Sequence, residues 1–499
     1  MAPPKSSAPK SSPFEMPAEE FRALGHELVE RIAGFLEQIP ERPAAPDLTP
    51  ADARARLGQG DLPAQGAAPG DLLARAFDLV SQGCRINGHP RSWGYVIGSP
   101  APIGMLGDFL ASAVNPNVAA WTSAQIPSEI EAQSVRWIAE LLGYPKDCGG
   151  VLTSGGNMAN FIGLLAARKA RADWDIRREG LTPAGGRLRI YASRETHTWL
   201  EKGADIFGLG TAAIRWIGTG PDLRMDTDEL RDRIAADKAA GERPFLLVGA
   251  AGTVSTGAVD PLPELAAIAR EHGLWFHVDG CYGAPAILDP AAPADLQGLR
   301  EADSLAVDAH KWLFVPLEAG CALVRDRTAQ REAFSFRPPY YHFAVDGDDV
   351  LHYHEMGPQN SRGFRALKVW LTLQCAGREG YRAMIADNLR NARVMAEALA
   401  ASPRLEVATQ SLSITTFRYR PEGLDPATEG EGLDALNSEI LTRVQKGGKA
   451  FLSNAVIAGR TYLRACITNF RTTEAEVRAL PELILRVGKA AEEDMRREG

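Results

Sequence analysis

Leu274-Trp275-Phe276-His277-Val278-Asp279-Gly280-Cys281-Tyr282-Gly283 is the run whose reading decides the fold. Four of its first five residues are apolar or aromatic, without a polar residue at every second place. A strand buried on both faces reads this way, and such strands belong to parallel sheets covered by helices. Asp279 then ends the run, and glycines turn the chain. Ligands of open α/β sheets bind beyond the C-terminal ends of the strands. Asp279 is therefore either a site carboxylate, able to pair with a protonated ring nitrogen, or a cap on the next turn.

Similar short apolar runs lie on both sides, at 188–192, 245–250, 304–307 and 321–324. Helical patterns separate them at 158–171, 226–238 and 261–272. Strands alternating with helices predict an α/β fold with a mainly parallel sheet flanked by helices. Before this region, Phe21, Leu24, Leu28, Ile32, Phe35 and Leu36 recur at helical spacing. A loop with Pro40, Pro43, Pro46 and Pro50 follows, then a second helical pattern over 71–80. Such a segment is too small to bury its apolar face alone and needs another surface. After the sheet region, a long amphipathic helix over 381–401 opens a smaller C-terminal domain. The division expected is a polar, Pro/Ser-rich disordered tail at 1–13, a helical N-terminal segment at 14–100, a large domain at 101–380 and a small α+β domain at 381–499.

Composition narrows the function. The chain has 499 residues, 45% of them apolar and 24% charged, as ordinary globular proteins do. Its 55 basic and 63 acidic residues give a net charge of −8, which argues against bulk nucleic-acid binding. No apolar stretch is long enough to span a bilayer, and the N-terminus lacks the apolar core of a secretion signal. The six cysteines are scattered without a C-x-x-C pair, so neither a disulfide scaffold nor a zinc ribbon is expected, and the reducing cytoplasm is the expected compartment.

Two further runs carry chemistry. Val307-Asp308-Ala309-His310-Lys311-Trp312 places a lysine just after a strand, beside Asp and His. It reads as a reactive amine or as a surface lysine. Gly149-Gly150-Val151-Leu152-Thr153-Ser154-Gly155-Gly156-Asn157-Met158-Ala159-Asn160 reads as strand, glycine turn, helix. It lacks the G-K-[ST] ending of a P-loop and the G-x-G-x-x-G of a dinucleotide fingerprint. It is either a phosphate cradle at a helix N-terminus or only a turn. Taken together, a phosphate cradle, a ring-nitrogen carboxylate and a lysine on one sheet are the parts that hold pyridoxal 5'-phosphate.

On these runs, and on Gly363-Phe364-Arg365-Ala366-Leu367-Lys368-Val369-Trp370, the chain resembles the group II pyridoxal-phosphate-dependent amino-acid decarboxylases, closest in pattern to the aromatic-L-amino-acid decarboxylases. The resemblance runs from about residue 15 to the end. It implies fold type I of pyridoxal enzymes, the aspartate aminotransferase-like fold with a seven-stranded sheet. It also implies a homodimer with active sites at the interface and a small amino-acid substrate. Lys311 would carry the cofactor as a Schiff base, Asp279 would pair with the pyridinium nitrogen and His197 would stack on the ring. Ser154, Gly155, Gly156 and Asn157 would receive the phosphate, with Thr253, Cys281, Asp308 and His310 as cofactor neighbours. Cys281 stands where many relatives carry alanine, and Asp308 where some carry asparagine. Tyr340, in Phe336-Arg337-Pro338-Pro339-Tyr340-Tyr341-His342, matches the loop tyrosine that returns a proton to the α-carbon, with Tyr341 and His342 as alternatives. Relatives with phenylalanine there release an aldehyde instead.

For the substrate, the resemblance points to Trp93, Tyr95, Asn117, Ala119 and Arg464. Trp93 and Tyr95 offer aromatic walls. Ala119 replaces a bulky phenylalanine that, in animal aromatic decarboxylases, reaches in from the neighbouring subunit. Arg464 matches a position where glutamate decarboxylases hold a substrate carboxylate, although aromatic decarboxylases also have arginine there. The expected activity is decarboxylation of an aromatic L-amino acid to the amine. Glutamate or aspartate decarboxylation and aromatic acetaldehyde synthesis are the alternatives. A non-catalytic binding protein of the same fold would lack the complete set of Lys311, Asp279 and His197.

Overall fold

A computed structural model describes residues 12–58, 60–181, 186–337, 350–422 and 430–498. Its large sheet contains β1 (Gly149–Thr153), β2 (Leu188–Ser193), β3 (Ile214–Ile217), β4 (Arg243–Ala250), β5 (Trp275–Asp279), β6 (Ser304–Asp308) and β7 (Gly320–Val324). The spatial order of these seven strands is β1-β7-β6-β5-β4-β2-β3. β7 pairs antiparallel with β1 and β6, and every other pairing is parallel.

Both faces of the sheet are apolar, which is why its strands show no alternation in sequence. Leu247, Phe276, Val278, Leu305 and Val307 face a core built with Leu262, Leu265 and Ile268 of helix Leu262–His272. Their neighbours Leu246, Val248, Trp275 and Ala306 face the opposite core, built with Phe161, Ile162 and Leu164 of helix Gly156–Arg171. Successive strand side chains point to opposite faces, so a strand covered on both sides must be apolar throughout.

The expected strands all form, each within two residues of its expected ends. β3 was not expected: Ile214-Arg215-Trp216-Ile217 is short and carries a charge. Arg215 is compatible with the sheet because it lies at the edge and is paired with Asp237. The helix expected from 381 starts at Ala366 and runs to Ala400, with a break at Gly377 (φ 60°, ψ 174°). Val369 before the break and Tyr381 and Ile385 after it pack on the large sheet's core. Ala392, Met395 and Leu399 then join a second core.

That second core backs an antiparallel sheet of order β10-β11-β9-β8. Its strands are β8 (Leu405–Ser411), β9 (Ile414–Tyr419), β10 (Ser453–Ile457) and β11 (Arg460–Cys466). Helices Gly430–Lys446 and Leu480–Glu498 cover it.

At the N-terminal end, helices Ala18–Gln38 and Pro69–Gly83 touch through an edge-to-face Phe35–Phe77 pair, yet neither buries a residue. Residues 1–11 of the tail expected over 1–13 lie outside the described residues. Among the described residues, no helix is long and apolar enough to cross a membrane.

Candidate active site

The site is built from the C-terminal ends of the parallel strands. β5 ends on Asp279, β6 on Asp308, and β4 leads into Gly252 and Thr253. The turn after β2 brings Glu195, Thr196 and His197. Together with Gly156 and Lys311 these segments enclose a cleft of about 430 Å³.

Two N–H donors orient Asp279. The Trp199 indole Nε1 donates to Oδ2 at 2.8 Å, and the Cys281 backbone N–H donates to Oδ1 at 3.1 Å. Trp199 is fully buried and stands edge-on to His277 at 5.6 Å. Its own backbone N–H donates to Nδ1 of His197 at 3.1 Å, so one residue positions both Asp279 and the histidine beside the cleft. Burial lowers the pKa of His197, with Asp279 opposing and Lys311 reinforcing the shift, which favours a neutral imidazole.

Below the cleft runs a buried chain of hydrogen bonds whose donors fix its direction. Trp275 Nε1 donates to Ser304 Oγ at 2.8 Å, so the Ser304 hydroxyl is free to donate to His277 Nδ1 at 2.8 Å. His277 Nε2 then donates to Asn160 Oδ1 at 2.7 Å, and Asn160 Nδ2 donates to Cys281 Sγ at 3.6 Å. Burial pulls the His277 pKa down to about 4, consistent with the neutral ring this chain requires. Burial pushes the Cys281 thiol upward, so it stays protonated and inert.

Gly155, at φ 147°, sits at the N-cap of helix Gly156–Arg171, and no side chain caps that helix. A Cβ on Gly156 would come within 2.6 Å of Asp308 Oδ2 and 2.7 Å of Cys281 Sγ. Glycine therefore keeps open the N–H groups at a helix N-terminus, which attract an anion. Ser154 in the turn and Asn157 in the first helical turn are half-buried beside it.

Lys311 Nζ lies 3.0 Å from Asp308 Oδ2, and 22% of the lysine side chain stays open. Loss of water lowers the Lys311 pKa, but the charges of Asp308 and Asp279 outweigh it, and the net shift is upward. His310 is pinned to the backbone of Ala319, whose N–H donates to Nδ1 at 3.2 Å, and burial lowers its pKa. Thr253 lines the cleft, is buried, and has its Oγ1 hydrogen-bonded to Thr256 Oγ1 at 3.1 Å.

Substrate candidates lie elsewhere. Trp93 is 1% exposed in the C-terminal core, with Nε1 donating to Thr472 Oγ1 at 3.1 Å. It does not line the Lys311 cleft. Tyr95 (φ 61°) rests on Phe451, under the Arg85 guanidinium. Arg464 is buried and donates to Ser255 O, Tyr95 O and Ser453 Oγ, and its Nη2 has no partner. Asn117 Oδ1 accepts from the Arg362 N–H at 2.9 Å, and Ala119 O accepts from the His354 N–H at 3.0 Å. Within one chain neither lines the cleft. Tyr340, Tyr341 and His342 lie outside the described residues.

Sequence reading missed Trp199, Asn160 and the buried pair Glu131–Arg362. Trp199 gave one signal, its place two residues after His197. Glu131 Oε1 accepts from the Leu152 N–H at 2.9 Å and faces the Arg362 guanidinium, which also donates to Leu152 O at 2.8 Å. The pair thereby holds β1 just before the glycine turn.

An amine, a carboxylate held by N–H donors and an open helix N-terminus are the donor set that pyridoxal phosphate requires, and these residues fit it. Residues 52–420 match the family model described as the pyridoxal-dependent decarboxylase conserved domain. The chain belongs to this family. Along 97% of its length it is 32% identical to the aromatic-L-amino-acid decarboxylase of Bacillus atrophaeus, covering 98% of that protein. A structure of Oryza sativa TDC with pyridoxal phosphate and tryptamine superposes with a TM-score of 0.88 at 27% identity, covering 96% of this chain and 99% of that one. Rhodiola rosea 4-hydroxyphenylacetaldehyde synthase superposes with a TM-score of 0.84, also at 27% identity, over 95% and 99% of the two chains. This pyridoxal-dependent decarboxylase is thus an amino-acid carboxy-lyase with pyridoxal phosphate as its cofactor. Its fold is type I of the pyridoxal enzymes.

Proposed function

We propose that this decarboxylase converts an aromatic L-amino acid, of the tryptophan, tyrosine, phenylalanine or DOPA kind, to the amine and CO2. The observation that carries this reading is the 32% identity to an aromatic-L-amino-acid decarboxylase over nearly the whole of both chains. Arg464, the residue that suggested an acidic substrate, donates to Ser255, Tyr95 and Ser453 and, like Trp93 and Tyr95, does not line the cleft within one chain. An aldehyde product is the second reading because the Rhodiola enzyme is 27% identical to this chain, the same identity as the rice one. Tyr340 favours the amine.

When bound, pyridoxal phosphate supplies the electron sink that accepts the pair left behind as CO2 departs. The chain's own residues arrange the rest. Lys311 Nζ is the anchoring amine. Asp279, aimed by Trp199 and Cys281, presents its charge to the ring nitrogen and holds a proton there. His197, neutral through burial, offers its flat face to the ring. The N–H groups at Gly156 and Asn157, with Ser154 and His310, receive the phosphate. Thr253 and Cys281, which line the cleft, would be neighbours of the bound ring. By the family resemblance, Tyr340 gives its phenolic proton to the α-carbon, which directs the product to an amine.

A homodimer belongs to the same proposal. Helices Ala18–Gln38, Pro69–Gly83 and Pro102–Val114 leave Phe21, Leu73, Leu106 and Phe109 exposed around an apolar groove. A second copy of the chain is the occupant that such a face suits. All six cysteines are unpaired, in keeping with a reducing cytoplasm.

Amine and CO2 formation on a panel of L-amino acids plus DOPA tests the substrate. Preferred turnover of an aromatic member is expected. Preferred turnover of glutamate or aspartate would overturn the aromatic reading, and equimolar peroxide with aldehyde would overturn the amine product.

A further inference from the structure

We infer that Asp308 is a lock on Lys311: its carboxylate holds the lysine amine as an ammonium in the cofactor-free protein, and so sets the pH at which the protein can capture its cofactor. The inference rests on the assignment of Lys311 as the anchoring amine.

The geometry carries it. Asp308 is the last residue of β6 and is 3% exposed, so its charge is not dispersed by water. Its Oδ2 lies 3.0 Å from Lys311 Nζ, three residues on, across the turn that leaves the strand. Among the described residues its Oδ1 is buried without a hydrogen-bond partner, with His310 Nδ1 at 3.7 Å. Lys311 is thus the one strong donor that this carboxylate has among the described residues, and parting the two exposes a buried charge. Gly156 lets the pair lie against the helix N-terminus, because a Cβ there would strike Asp308 Oδ2.

Other ionisable groups around Lys311 come from its own loop and from three further segments. Asp279, Cys281 and Tyr282 face it from the end of β5 and the turn beyond, His310 from its own loop, Glu195 and His197 from the turn after β2, and Cys466 from β11. Burial raises the pKa of Glu195 and of Tyr282, which favours their uncharged forms. Burial lowers the pKa of both histidines and raises that of both thiols, so these four favour their uncharged forms. The two aspartates are therefore the charges that hold the ammonium, and Asp308 is the one in contact with it.

An ammonium is not a nucleophile. To bond to the cofactor's aldehyde carbon, Nζ must first lose one proton to solvent, after which the amine adds and one water leaves. Holding the proton on Lys311 protects the buried amine from stray aldehydes at low pH and makes loading favour higher pH.

The test is reductive methylation of the full-length apoprotein with formaldehyde and cyanoborohydride across pH 6–11. Lys311 and the exposed Lys449 are read from their peptides by mass spectrometry. The expected midpoint for Lys311 lies above that of Lys449. In Asp308→Asn it should fall by at least one pH unit, and the midpoint for pyridoxal phosphate uptake should fall with it. A wild-type Lys311 midpoint at or below that of Lys449 would overturn the lock without reference to any variant. An unchanged midpoint in a folded Asp308→Asn protein would overturn it as well. Borohydride reduction of the holoenzyme reports separately which lysine carries the cofactor, so failure of that assignment is distinguishable from failure of the lock.

Discussion

Asp279 shows how much of this site is set by single residues. Its oxygens are each held by one N–H, from Trp199 and from Cys281. Asp279→Asn keeps an oxygen for one of these donors but loses the charge that retains a proton on the ring nitrogen. The expected loss in kcat is on the order of a hundredfold or more, the size seen when one preorganised electrostatic partner is removed. Steady-state kinetics on the cofactor-loaded variant checks it, and a kcat within a few-fold of wild type would remove Asp279 from its role. Trp199→Phe keeps the ring in the core but removes the donor to Asp279. A hydrogen bond to a charged group is worth about 1.5–3 kcal/mol. The kinetic defect should therefore be milder than that of Asp279→Asn, with the far-ultraviolet circular dichroism unchanged. Lys311 and Asp279 were legible in the sequence because each follows an apolar run that announces a strand, whereas His197 was legible only through the family resemblance. Trp199 was not, because its role passes through space to a residue eighty positions away.

At the scale of elements, the strands were legible because each is buried on both faces and uniformly apolar. β3 was not, since an edge strand with an arginine paired to Asp237 breaks that pattern. Neither was the buried Glu131–Arg362 pair. It joins helix Gln125–Leu141 to β1, and no local pattern connects residues so far apart. Removing one partner leaves the other charged and buried, so Glu131→Gln is expected to destabilise the fold by about 3–5 kcal/mol. Chemical denaturation measures this, and a loss below about 1 kcal/mol would mean that the two groups are better hydrated than their burial implies.

A second contact between elements responds to pH. Glu355 receives bonds from Ser335 Oγ at 2.7 Å and from Arg337 Nε at 2.6 Å. Burial raises its pKa, but these bonds and the Arg337 charge outweigh it and bring the carboxyl from an ordinary 4.5 down to about 2. A carboxyl with a lowered pKa in the fold stabilises above its ordinary value and loses that contribution as protons return. The Glu355 contribution is therefore complete above about pH 4.5 and fades toward pH 2. Glu355→Gln should flatten the acid limb of stability between those values. An acid limb of unchanged slope would show that the pairing adds nothing to folding.

At the scale of the molecule, the position of Asn117 and Ala119 calls for a partner. Both follow directly from helix Pro102–Val114, whose Leu106, Phe109 and Leu110 are exposed beside the apolar N-terminal helices. In one chain they do not line the cleft around Lys311. If a second copy covers that apolar face, the two-fold pair can exchange these loops, each Ala119 loop then serving the other chain's cleft. Two inactive variants distinguish the arrangements: Lys311→Ala, which lacks the amine, and Ala119→Trp, which blocks the loop. Mixed dimers formed by unfolding and refolding them together have two sites. When each loop serves its partner, one of those sites carries both lesions and the other carries neither. Half of an equal mixture is heterodimer, so activity should return to about a quarter of wild type. When each loop serves its own chain, every site in every dimer carries one lesion, and no activity returns. Restored turnover would thus establish both the dimer and the exchange of the Ala119 loop. A flat result with heterodimers demonstrably present would place substrate recognition within the single chain.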